Sequence, residues 1–396
     1  MRIAATHAAG VPRARLLPLY GAGFVAAFGA HGIAASLAGY TTAKHASLLT
    51  LGLLLAVYEV AELLLKPVFG ALADRVGARR VLLGGMVAFA LASAAFVAAD
   101  DPALVGLARF GQGAAAAAFS PAAGAMLARL TPTTAHGGTF GSYGAWKTMG
   151  YILGPVLGGA LVAVGGYPAL FTTVAVLAAI VAGGAALAVP TVEILPSARQ
   201  TLVDLGRHLS SRSFVRPTAA MAGGSAALAV GVGFLPALGA QQGLGSLATG
   251  AVVSALAATA ALVQPQAGRL ADHTGMATGL LLSAAGIAVA ALTPGTASLV
   301  CAGVIIGAGT GLITPLGFAY LSRISPPARL GQTTGAAEVG LELGDAGGPL
   351  LVGAVAAAAT LNTGLLVMTV VLAAVANVLA LAGRGPDGHP DGPPEP

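Results

Sequence analysis

The chain has 396 residues, of which 56% are hydrophobic and only 8% charged, with 58 glycines. Soluble domains carry about 25% charged residues, so this composition excludes a water-facing globular surface and makes lipid the main solvent. The formal net charge of +5 rests on arginines at the ends of apolar stretches and gives no support to nucleic-acid binding.

Membrane helices need roughly 20 apolar residues, and twelve such stretches can be marked off. In chain order they cover 17–38, 48–69, 78–99, 103–128, 138–164, 167–190, 217–240, 246–267, 276–293, 297–321, 333–358 and 361–382. The first is long enough to span and has a basic flank, Arg2, Arg13 and Arg15, so no cleavable leader is expected. If that flank is cytoplasmic, Arg75, Arg79, Arg80, Arg129, Arg199, Arg207, Arg212, Arg216, Arg269, Arg323 and Arg329 all fall in cytoplasmic loops. Outer loops keep Lys44 beside the acidic Asp100 and Asp101. That asymmetry is the positive-inside signal, and it places both termini in the cytoplasm of a cell whose cytoplasmic membrane holds the chain.

Ionisable groups within a span cost about 2.5–3.5 kcal/mol at mid-helix, which makes each a functional candidate. The first span holds His31, which is either a proton site or a hydrogen-bonded packing histidine. The second holds Glu59, Glu62 and Lys66, whose steps of three and four share one helix face. Glu62 lies roughly 12 Å and Glu59 roughly 16 Å from the loop that follows, at 1.5 Å per residue. Lys66 is one turn from Glu62 and is expected to pair with it. Tyr58, beside Glu59, is a cavity or packing residue.

The loop after the second span, GALADRVGARR (70–80), concentrates four charges in eleven residues. Its glycines, Gly70 and Gly77, suit a tight turn close to a neighbouring helix. Asp74, at the membrane surface, can accept hydrogen bonds from a helix N-terminus or an arginine. The fourth span carries Arg109 and Gln112 on one face, in RFGQG. The fifth, GSYGAWKTMGYILGPVLGG, spaces Gly141, Gly150, Gly154, Pro155, Gly158 and Gly159 so that one face is flat for a neighbouring helix, with a proline bend. Trp146, the only tryptophan, and Lys147 lie there at a depth where a cargo ring could stack, and core packing fits Trp146 equally well.

A polar interval at 191–216 divides the chain into a half over 1–190 and a half over 217–383, followed by a Pro/Gly-rich tail at 384–396 with the composition of a disordered end. The halves repeat. RLTP at 129 answers RISP at 323 and Gly154-Pro155 answers Gly348-Pro349, both 194 residues on; GRLADHTG, with Asp272, answers the charged loop 198 residues on. The single Cys301 sits in an apolar run, which excludes disulfides and cysteine metal sites and predicts a small packing residue. The eleventh span carries Glu338, Glu342 and Asp345 at i, i+4 and i+7. Three carboxylates on one face cannot all stay ionised in low dielectric. It also repeats the glycine pattern in part, with Gly335, Gly344, Gly348 and Pro349.

GALADRVGARR resembles the loop 2–3 signature of the major facilitator superfamily, matching at Gly70, Leu72, Asp74, Arg75, Gly77 and Arg80. The second copy keeps Gly268, Leu270, Asp272 and Gly275 but has His273 for the first arginine. The resemblance covers the chain and implies an all-α membrane protein of twelve transmembrane helices in two pseudo-symmetric six-helix halves, with cargo bound between them near mid-membrane. It implies that Gly70, Asp74, Arg75, Gly77, Arg80 and Asp272 form a conformational latch between the halves. RFGQG and the Gly154-Pro155 segment resemble the fourth- and fifth-helix signatures of the drug:proton antiporters, which implies export of a drug-like small molecule against protons. Glu59, Glu62, Arg109, Glu338, Glu342 and Asp345 are then proton-coupling candidates; His31, Tyr58, Gln112, Trp146 and Lys147 are cavity candidates. The antiporters' acidic residue in the first helix is missing here. The acids exceed Lys66, Arg109 and Lys147 by two, which favours a cationic or neutral amphipathic cargo. A proton symporter or facilitator importing a sugar or organic acid is the competing reading. No metal motif or nucleophile elbow points to an enzyme or a cofactor. A monomer in the bilayer is what the family implies.

Overall fold

A computed structural model of the chain describes residues 15–132, 135–191, 212–267, 273–325 and 330–382. Asp272, most of the central interval and the tail lie outside these residues, as does the side chain of Asp74. Among the described residues the long elements are all helices: α1 (Leu17–Ala43), α2 (Leu48–Val76), α3 (Ala78–Ala95), α4 (Pro102–Leu130), α5 (His136–Ala188), α6 (Arg212–Gln241), α7 (Ser246–Ala267), α8 (His273–Leu292), α9 (Thr296–Ile324), α10 (Leu330–Ala358) and α11 (Leu361–Ala382). Lipid offers no partner to a free peptide group, so apolar chain of this length satisfies its backbone internally. Ten of the helices are long and apolar enough to cross a membrane; α4, with Arg109, Gln112 and Ser120 along it, is the exception.

The fifth and sixth of the twelve expected spans follow one another without an intervening loop, as the two arms of α5. α5 runs 53 residues and breaks at Gly166, where φ is 69° and ψ −174°. Its two arms are antiparallel, as their contacts with α1 show. A Cβ at Gly23 would meet Tyr143 and one at Gly32 would meet Gly154, whereas Gly21 faces Val181 and Gly39 faces Tyr167. One arm therefore rises alongside α1 and the other descends. Helix starts are capped locally. The Ser47 hydroxyl accepts from the Thr50 N–H at 3.1 Å, and the Asp101 carboxylate accepts from Ala103 and Leu104 at 2.8 and 3.0 Å.

The latch segment behaves in three ways. Gly77, at φ 97°, makes the tight α2–α3 turn in a conformation that favours glycine. Gly70 does not approach a neighbouring helix: a Cβ there would find nothing within 4 Å, so the close packing expected of it is absent. Arg75 and Arg80 are exposed, and neither forms an ion pair among the described residues. Arg79 instead reaches the carbonyls of Val189 and Ala186, both at 2.7 Å, and closes the end of α5, where helical carbonyls lack intrahelical donors. Cys301 is exposed on α9, which corrects the packing role expected of it. An apolar run in lipid leaves one helix face to the lipid itself.

The repeat read from sequence is built into the packing. In the first bundle, Gly150 and Gly154 of α5 lie against the carbonyls of Phe24 and Phe28 of α1. In the second, Gly344 and Gly348 of α10 lie against the carbonyls of Ala222 and Ala226 of α6. The residue pairs are offset by 194 and 198 positions, as in the sequence. The bundles meet each other at the end of the molecule opposite to that where α1 begins and α11 finishes; these are called the far end and the terminal end. Gly250 of α7 abuts the Pro155 carbonyl and Gly159 of α5 the Ser246 carbonyl; on the other side Gly52 of α2 abuts the Pro349 carbonyl at 2.5 Å and Gly353 of α10 the Leu48 carbonyl at 2.8 Å. The far-end seal is thus one contact made twice. Gly141, near the terminal end, has open space around it and takes no part in the flat face predicted for its segment.

Candidate functional site

Between the bundles, on the terminal side of the seal, lies a cavity of about 210 Å³. α2 supplies Tyr58, Glu59, Glu62 and Lys66, and α10 supplies Glu342 and Asp345. α1 contributes His31 and a run of alanines, α4 contributes Arg109 and Ser120, and α5 contributes Tyr143, Lys147 and Tyr151. Leu228, Ala229 and Val232 of α6 complete an apolar wall.

The expected Glu62–Lys66 pair is present at 2.8 Å. Its other partner crosses between the bundles: the Lys66 ammonium also pairs with Glu342. Glu59 lies one turn deeper on α2, and Asp345 lines the same cavity from α10. Carboxylate oxygens of Glu59, Glu62 and Glu342 all fall within 4.8 Å of one another. That spacing would suit a metal ion, yet the Lys66 ammonium already neutralises two of the three. Glu342 Oε2 is buried without a hydrogen-bond partner.

Arg109 is 1% exposed. Its guanidinium stacks 4.5 Å from the centroid of the Tyr58 ring, donates to Gln112 Oε1 at 3.1 Å and reaches the Ala30 carbonyl at 3.5 Å; its Nε has no acceptor. Gln112 donates to Ser93 Oγ at 3.0 Å, and Ser93 donates to the Phe89 carbonyl at 2.7 Å. This chain fixes the arginine from behind. The approach of α4 to α2 depends on Gly113, whose missing side chain leaves room for the Tyr58 carbonyl.

Three candidates are placed differently from the sequence reading. Gln112 is fully buried behind Arg109 and does not line the cavity. Trp146 packs on α1, 6.5 Å from the Tyr20 ring and 6.4 Å from Phe24; helix neighbours point about 100° apart, so Lys147 faces the cavity and Trp146 cannot. Glu338 shares the face of Glu342 but lies one turn nearer the terminal end, exposed and beyond the cavity. The acid surplus therefore shrinks: Glu59, Glu62, Glu342 and Asp345 face Lys66, Arg109 and Lys147, an excess of one.

Lys147 sits 5.7 Å from the Tyr151 ring centroid. The His31 ring lies 4.3 Å from that of Tyr151. Tyr143 and Tyr151 escaped the sequence reading, although four-residue steps from Lys147 mark them as one stripe. Ser254 of α7 escaped it too. Its Oγ accepts from the Val156 N–H at 3.1 Å and donates to the Ile152 carbonyl at 2.6 Å, so a side chain of one bundle enters the backbone of the other beside Pro155.

Comparisons with known proteins agree with this architecture. Short stretches resemble two curated resistance proteins. The quinolone resistance protein NorA of Staphylococcus aureus is 28% identical over 109 residues, 28% of each chain. The puromycin resistance protein pur8 of Streptomyces alboniger is 43% identical over 93 residues, 23% of this chain and 18% of that one. The matches thus span about a quarter of those relatives or less. Among solved structures, a bacterial homolog of the human lysosomal transporter Spinster, inward-facing and occupied, superposes with a TM-score of 0.81 at 17% identity, covering 93% of this chain and 96% of that one. A POT family transporter in complex with 5-aminolevulinic acid gives 0.79 at 14% identity, covering 92% and 95%. These likenesses show the fold. The family profile described as Major Facilitator Superfamily matches residues 19–276 and 219–396. With both bundles inside those matches and the cavity between them, the chain belongs to the Major Facilitator Superfamily, a multi-pass membrane transporter.

Proposed function

We propose that this transporter exports a small amphipathic molecule in exchange for protons, with residues 1–190 and 217–383 rocking about the central cavity. The observation that carries the reading is the cluster of Lys66, Glu62, Glu59 and Glu342, which straddles the two bundles. Three carboxylates around one ammonium leave net negative charge inside the membrane unless a proton or a cationic group accompanies them. Cargo arriving with a positive group replaces that proton; when the bundles rock, Glu342 leaves Lys66 and Glu59, and a new proton can load. Charge inside the membrane stays low through each step, as burial demands.

The alanine, leucine and valine wall opposite the charged groups suits a cargo with an apolar body, and the tyrosines offer ring faces. The positive-inside pattern of the arginine-rich loops supports a cytoplasmic terminal end; with that orientation the cavity, sealed at the far end, faces the side from which an exporter loads. The stretches shared with two drug-resistance proteins point the same way.

The test is proton release from everted vesicles, followed with a pH-sensitive dye during challenge with cationic, neutral and anionic aromatic compounds. Export by antiport requires a response to at least one class that is lost in Glu342→Gln. No response to any class, with folded protein present, would discard export and leave import on the same fold.

A further inference from the structure

The cavity charges are sorted by position. All four carboxylates come from α2 and α10, and Lys66 lies among them. On the facing wall, α1, α4 and α5 present Arg109, Lys147 and His31 and no acid. Among the described residues neither Arg109 nor Lys147 has a carboxylate within ion-pair distance. Both are held by rings and neutral acceptors: Tyr58, Gln112 and the Ala30 carbonyl for Arg109, Tyr151 for Lys147. Arg109 Nε, in a side chain 1% exposed, has no acceptor at all. A buried cation without an anion is costly, by several kcal/mol per ion, and a buried donor without an acceptor adds to that cost. A ligand that brings an anionic oxygen to this wall relieves both.

We infer that the cargo is zwitterionic: an aromatic-sized amphiphile whose anionic group, a carboxylate or its equivalent, docks between Arg109 and Lys147 while its amine meets Glu59, Glu342 and Asp345. This rests on the same cavity being the cargo site, as proposed above. Such a molecule brings both signs of charge to a cavity that already presents both, so its net charge disturbs the site less than that of a simple cation. His31 and Tyr151, whose rings meet at 4.3 Å beside Lys147, supply imidazole and hydroxyl hydrogen bonds to the same anionic group.

Three probes built on one biaryl scaffold separate the charges: a zwitterion with an amine and a carboxylic acid, its methyl ester as a cation, and its N-acetyl derivative as an anion. Trp146 is the only tryptophan and neighbours Lys147, so its fluorescence in detergent-solubilised full-length protein reports binding. The zwitterion should bind tightest. Lys147→Gln should weaken the zwitterion about 30-fold, the low end for losing one partner of a buried charge pair, and leave the ester within about threefold; Lys147→Arg should restore the zwitterion. Unchanged ester binding certifies that the variant is folded. Wild-type protein that binds the ester as tightly as the zwitterion overturns the inference, whether or not Lys147→Gln folds. Zwitterion binding that depends on Lys147, without proton release in everted vesicles, would instead remove the antiport reading and keep the cargo class.

Discussion

Removing the Ser254 hydroxyl should unlatch the far end. Pro155 has no N–H, so the helical carbonyl four residues back loses its donor. Ser254 meets the backbone at the next step, accepting from Val156 and donating to Ile152. In Ser254→Ala both bonds disappear. Hydrogen bonds of this kind contribute about 0.6–1 kcal/mol each in a membrane protein, and Val156 and Ile152, four residues apart, can partly satisfy each other. The net loss is therefore about 1–2 kcal/mol, which moves the balance between sealed and open far ends roughly 5- to 30-fold. Spin labels at Lys44→Cys and Thr293→Cys, on far-end loops of opposite bundles, would read that balance as a distance distribution. Cys301→Ser supplies the background, since Cys301 is exposed. The long-distance population should grow in Ser254→Ala and stay near wild type in Ser254→Thr, which keeps the oxygen. Distributions that agree within twofold for the two variants would refute the role of this hydroxyl.

The remaining expectations are simpler. Glu338→Gln should leave proton-linked transport unchanged and Glu342→Gln should abolish it, as vesicle assays with equal expression would show; equal loss in both would return Glu338 to the cavity. Gly113→Ala places a methyl against the Tyr58 carbonyl and should cost about 1–3 kcal/mol by overpacking, whereas Gly70→Ala meets open space and should stay within about 0.5 kcal/mol. Thermal unfolding in detergent compares the pair. Arg79→Gln removes the donor that closes α5 and should lower stability by about 1–2 kcal/mol, with transport retained in whatever protein folds.

What sequence could reveal here was whatever one helix or one repeat determines alone. The offsets of 194 and 198 exposed the duplicated packing, because the same glycines recur in both halves. The Glu59–Glu62–Lys66 face followed from helical spacing. The partner of Lys66 did not: Glu342 lies 276 residues away, and a single sequence carries no register between two bundles. Depth was equally hidden, which is why Glu338 shares a face with Glu342 yet falls outside the cavity. The orientation of Trp146 depended on where α1 sits, and nothing in residues 141–159 specifies that. Gly70 shows the converse, a motif glycine whose predicted neighbour is absent.

The duplicated seal has a consequence for how such a protein can diversify. Its closest approaches, Gly52 to Pro349, Gly353 to Leu48, Gly159 to Ser246 and Gly250 to Pro155, are made by peptide groups and glycine carbons. Recognition, by contrast, is written in side chains of the cavity below. Substitutions that retune the cavity for a new compound therefore leave the closing surface untouched, and the two functions can be selected separately. The same separation makes the seal brittle. Any of these glycines replaced by a larger residue holds the backbones apart, and no neighbouring side chain is positioned to absorb the difference.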